Sequence, residues 1–87
     1  MKKIHVFVGE DKKGKKLLMC KLDGKEAPLG ALALGLIFGK DETVLEALGE
    51  TEPDVIVDDL LDDKMNKEVH EFQELLDKFY EKVHQKK

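Results

Sequence analysis

The chain has 87 residues, with 15 lysines against 19 acidic residues and a formal net charge of −4. That size admits one domain, residues 1–87, with a single modest core, and the one cysteine, Cys20, excludes an intramolecular disulfide framework or an all-cysteine zinc site. Serine, arginine and tryptophan are absent, which removes serine-nucleophile chemistry and the residues that most often read bases or anchor interfaces.

Ile4, Val6 and Val8 alternate with His5 and Phe7, a period-two pattern that predicts a strand. Residues 9–14 (GEDKKG) read as a polar turn. Leu18, Cys20 and Leu22 alternate with Leu17, Met19 and Lys21 and predict a second strand that stops at Asp23-Gly24. The two strands form an antiparallel hairpin with Lys12, Lys13, Lys15 and Lys16 at its tip. Such a cluster is a candidate phosphate contact. Without arginine or interleaved aromatics it reads first as a solvated turn that discourages edge-to-edge pairing, so nucleic-acid binding ranks last among the functional readings.

Residues 27–39 (APLGALALGLIFG) contain no charge and no hydrogen-bonding side chain. As a helix, the stretch has Pro28 in the first turn and Gly39 as a left-handed C-cap. As a strand, it places Leu32, Leu34, Leu36 and Phe38 on one face. Leucine and alanine favour the helix, and each interior glycine weighs against it by about 1 kcal/mol. In either form the stretch is expected to be buried on more than one face. It is shorter than the roughly 20 apolar residues a membrane span needs. On a helix, Ala31, Gly35 and Gly39 form a ladder of small residues, suited to self-association as a homodimer or to close packing within the monomer.

Asp41 is placed to cap a short helix carrying Val44, Leu45 and Leu48, with Gly49 ending it. Glu52-Pro53 breaks the chain before Asp54–Asp59 (DVIVDD), which reads as a buried third strand. Asp62 or Asp63 then caps a helix reaching about His84. On it Met65, Val69, Phe72, Leu76, Phe79 and Val83 recur at 4-3-4-3-4 spacing, a single apolar seam that fits packing on the chain's own sheet. The expected architecture is α+β in two layers, in the order β-β-α-α-β-α.

Charge is unevenly spread. Residues 1–40 balance at +5, residues 41–63 hold ten acids and no lysine, and residues 64–87 balance at +1. The middle block is a candidate surface for a basic protein partner, through Glu42, Glu46, Glu50, Glu52, Asp58, Asp59, Asp62 and Asp63, since a one-sign field steers the opposite charge. The competing reading is a solvated surface with helix-capping aspartates.

A second possibility arises where a strand gives way to a helix. Glu10 and Asp11 follow the first strand, and Pro53-Asp54-Val55-Ile56-Val57-Asp58-Asp59 is a Pro-Asp-apolar run ending in aspartates. This pairing locally resembles the receiver domains of response regulators. The resemblance implies a phospho-acceptor at Asp59, with Mg²⁺ held by Glu10, Asp11 and Asp59, and oxygen ligands of this kind suit that cation. It spans roughly 15 residues. Receivers place a helix where this chain has its second strand, and they carry two more strands than are read here.

His70 and His84 are separated by about 21 Å along one helix, too far to share a metal. His5 lies on a strand. Cys20 reads as a small core residue with no adjacent base to activate it. No phosphate-binding glycine motif is present. The expectation is a non-enzymatic module without a resident cofactor. Its Met-Lys-Lys start leads into alternating residues in place of a signal peptide's apolar block, so a cytoplasmic setting is expected.

Overall fold

The computed structural model describes residues 2–85. Strand β1 (Lys3–Glu10) pairs antiparallel with β2 (Lys16–Leu22), and β2 pairs antiparallel with β3 (Lys25–Pro28). Helices α1 (Leu29–Phe38) and α2 (Asp41–Leu48) follow, then β4 (Asp54–Val57), parallel to β1, and the long α3 (Asp63–Gln85). The sheet order is β3-β2-β1-β4. The fold is therefore α+β, with a mixed four-stranded sheet in the order β-β-β-α-α-β-α.

The strand β3 was not expected. Asp23-Gly24 does end β2, but as a two-residue hairpin turn rather than a stop. Both residues have positive φ (52° and 80°), the conformation a twisted two-residue hairpin requires and one that Asp-Gly adopts at low cost. The chain returns with Leu22 opposite Lys25 and Cys20 opposite Ala27. The first hairpin is also longer than expected. β1 runs through Gly9 and Glu10, which pair with Leu17 and Lys16.

Residues 29–38 are helical, and Pro28 precedes the helix as its extended N-cap (φ −60°, ψ 140°) rather than entering its first turn. Gly39 is not a left-handed cap either, since its φ is −73° and ψ 163°. Burial on several faces is contradicted. Leu29 and Leu36 are buried, whereas Leu34, Ile37 and Phe38 are 56%, 52% and 80% exposed. α1 packs against α3, β2 and β3, and one helix side suffices for those contacts.

α2 starts at Asp41, with Lys40 as its N-cap, so Asp41 stands in the first turn and does not cap. Gly49 ends the helix at φ 92°. α3 begins as expected: the Asp62 carboxylate accepts a 2.8 Å hydrogen bond from the Met65 amide, an N-cap interaction. Its seam faces inward through Val69, Phe72, Leu76 and Phe79, with Tyr80 buried beside them. Against it lie Ile4, Val6, Leu18 and Cys20 from one sheet face, together with Leu48 and Val44.

β4 departs from its expected burial. It is an edge strand, with Val55 and Ile56 half-buried and Val57 42% exposed. Register puts Val55 and Val57 on the same face as Ile4 and Val6, while Asp54 and Ile56 share the opposite face with Lys3 and His5.

Candidate functional site

Glu42, Glu46, Glu50, Asp58, Asp59, Asp62 and Asp63 are exposed, and Glu52 is half-buried. Two of the block's ten acids lie in ion pairs among the described residues. Asp41 meets Lys82 Nζ at 3.0 Å, and Asp58 meets His5 Nδ1 at 2.9 Å. The block thus keeps most of its negative charge facing water. Its members sit on α2, around β4 and at the start of α3, so β4, which opens on Asp54, is bracketed by Glu50 and Glu52 on one side and Asp58, Asp59, Asp62 and Asp63 on the other.

Three of the aspartates singled out by the receiver resemblance and the capping argument serve the backbone. Asp59 Oδ2 accepts from the Val8 amide at 2.8 Å. β4 has ended by that point, so the carboxylate takes the place of the missing strand and satisfies an amide of β1 that the ladder leaves open. Asp11 Oδ1 accepts from the amides of Lys13 and Lys15 at 2.8 and 2.9 Å, holding the lysine turn together. Asp62 caps α3. β1 and β4 do run parallel as neighbours, as the receiver arrangement requires. Even so, Glu10, Asp11 and Asp59 are not drawn together: among the described residues no three His, Cys, Asp or Glu side chains are positioned to hold a metal ion.

Lys12, Lys13, Lys15 and Lys16 are exposed at the β1–β2 tip. Lys15 and Lys16 share a hollow with Lys64, Asp62 and Glu68 near the start of α3. Asp62 and Glu68 beside them reduce the positive field that phosphate binding needs. Cys20 is buried, and burial raises its thiol pKa, so it stays protonated.

Two features escaped the sequence reading. The first is the carboxyl pair formed by Glu52 and Asp77, which meet across the gap between β4 and α3. A hydrogen bond that protonated Glu52 donates to the Asp77 carboxylate, then desolvation and the Asp77 charge, push the Glu52 pKa up to about 7. Nearby, the Tyr80 hydroxyl donates to the Gly49 carbonyl at 2.7 Å, and burial followed by the Glu52 charge raises its pKa. An acid whose pKa rises on folding stabilises fully below its unfolded value near 4.5, and that contribution is lost as pH climbs through about 7. Thermal melting should therefore fall between pH 5.5 and pH 8. Glu52→Gln, which keeps a donor for Asp77, should flatten that slope. An unchanged slope in the variant would show that the pair does not share a proton.

The second is the apolar stripe of Leu34, Ile37 and Phe38 on α1. Ala31 is exposed beside it and Gly35 half-buried. A Cβ on Gly35 would meet nothing within 4 Å, so the small-residue ladder is not used for close packing inside the monomer at that point. Gly39 does sit in a close contact, against the Gly35 carbonyl. No described helix is long and apolar enough to cross a membrane. No family model matches this chain, and neither curated proteins nor solved structures give a match.

Proposed function

We propose that this chain is a non-enzymatic cytoplasmic binding module that receives a basic protein partner on the acidic surface of residues 41–63. The observation that carries the reading is the lack of internal neutralisation. Ten carboxylates occur without a lysine in the block, and two of them are ion-paired among the described residues. A field left open in this way attracts cationic partners and repels acidic ones. A buried, free Cys20 is in keeping with a reducing compartment.

Poly-lysine is a suitable probe. Glu42→Gln, Glu46→Gln, Glu50→Gln and Asp63→Asn together remove four charges, and none of these side chains makes a hydrogen bond or ion pair with a described residue. The quadruple variant should keep its melting temperature and bind roughly tenfold or more weakly at low salt, while raising salt to 0.5 M should erase the difference. Equal binding by wild type and variant would overturn the proposal.

A second reading, self-association as a homodimer, is favoured by the exposed stripe of Leu34, Ile37 and Phe38. α1 has no charged residue, so two copies meet there without like-charge repulsion. Sedimentation equilibrium should give a dimer for the wild type and a monomer for Phe38→Lys. A monomeric wild type at about millimolar concentration, where even weak contacts of a few kcal/mol register, would dismiss this reading.

A further inference from the structure

β4 is an outer strand, bonded to β1 along one side. The amides of Asp54 and Asp58 donate to the carbonyl oxygens of Lys2 and Val6, at 3.2 and 2.9 Å. Alternate residues of a strand turn their backbone groups to opposite sides, so Val55 and Val57 carry their N–H and C=O outward. No hydrogen bond among the described residues uses those groups. Natural sheets usually guard such an edge with lysine, proline or a bulge within the strand. The opposite edge, β3, has Lys25 and Pro28. β4 (DVIV) has none of these; it is four residues long and its charge is Asp54, a guard against acidic strands rather than basic ones.

Beside this edge runs a groove of about 610 Å³ between β4 and α3. Val55 and Leu76 form an apolar wall, Glu52 and Asp77 an acidic rim, and Lys3 is the cation of the lining. The strand is therefore open along its backbone, apolar toward α3, and bracketed by carboxylates at both ends.

We propose that β4 takes up an extended basic segment of a partner protein as an added strand, paired to the outward N–H and C=O groups of Val55 and Val57. This rests on the acidic-surface reading above and gives it a binding mode. Backbone pairing supplies affinity in strand addition, and alternate side chains supply selection. Side chains on the helix side of the added strand meet Val55 and Leu76, which suits β-branched apolar residues. Those on the other side flank Asp54 and Asp58, which suits lysine or arginine. The occupant is thus a segment that alternates basic and apolar residues. A second copy is a poor occupant. Antiparallel pairing of β4 with itself around Ile56 sets Asp54 of one strand opposite Asp58 of the other, and like charges directly opposite destabilise a sheet.

The test uses the full chain and three synthetic peptides of equal charge. The parent is acetyl-Lys-Val-Lys-Val-Lys-Val-Lys-amide. The other two carry N-methyl groups on the valine nitrogens or on the lysine nitrogens. A docked strand turns one alternate set of amides to β4, so one methylated peptide should bind roughly tenfold or more weakly while the other binds like the parent. Amide exchange at Val55 and Val57 should slow on addition of the parent. Equal binding by all three peptides, with Val55 and Val57 exchange unchanged, would overturn strand addition and leave the acidic-surface reading standing. Absence of binding by every peptide at low salt would overturn both.

Discussion

Phe72→Ala is expected to lower unfolding free energy by about 3–5 kcal/mol, the range for removing a buried aromatic from a packed core. Phe72 is 2% exposed and lies midway along α3, where the seam meets the sheet. Losing the ring removes burial and leaves a cavity between α3 and the sheet. Small domains have a total stability of about 5–15 kcal/mol, so the loss is a large fraction of the whole. At about 4–8 °C per kcal/mol for a domain of this size, the melting temperature should drop by well over 10 °C. Urea denaturation gives the number directly. Gln73→Ala, one residue on and exposed, is the control and should change stability by less than about 0.5 kcal/mol. A loss below about 1 kcal/mol for Phe72→Ala would mean that α3 does not pack on the sheet through this residue.

The second large effect is a difference between two glycines four residues apart. Gly39→Ala should destabilise by about 1–3 kcal/mol, the usual cost of forcing extra volume into a packed site. Its backbone angles are open to any L-residue, so the constraint is space: a Cβ would collide with the Gly35 carbonyl and press on Val44 Cγ2 at 3.2 Å. Gly35→Ala should act in the opposite direction, gaining about 1 kcal/mol from better helix propensity, because nothing lies within 4 Å of its added methyl. Thermal melts of the two variants should move apart in sign. If Gly35→Ala destabilises, and does so more at higher protein concentration, a second copy lies against α1 and the homodimer reading gains.

Several elements were legible from local pattern because local physics decides them. The alternation of Ile4, Val6 and Val8 marks a half-buried strand whatever it pairs with. The seam from Met65 to Val83 marks a helix with one inward side, and Asp62 announces its start through a side chain that reaches only its own first turn. β3 was missed because Lys25–Pro28 is four residues long and opens on two charges, too short for alternation to register. The clue was Asp23-Gly24, whose tolerance of positive φ makes a turn that sends the chain back rather than ending the strand.

The candidate surfaces divide in the same way. Charge needs no fold to be counted, so the acidic block of residues 41–63 was visible at once. Which of its aspartates are engaged was not, because the partners of Asp59 and Asp58 are Val8 and His5, some 50 residues away in sequence. The Glu52–Asp77 pair is hidden for the same reason.

By itself, then, the sequence determined the two-layer α+β class, the inward seam of the last helix, an aspartate cap at Asp62 or Asp63 and the lopsided charge. These follow from periodicity, propensity and composition, which act over a few residues. Only the tertiary structure decided that α1 exposes Leu34, Ile37 and Phe38 and that β4 lies at an edge. A uniformly apolar helix carries no polar side to say which way it faces, and an apolar strand of four residues reads the same at the centre of a sheet as at its rim. Strand order and helix placement set both, through contacts between residues far apart in the chain.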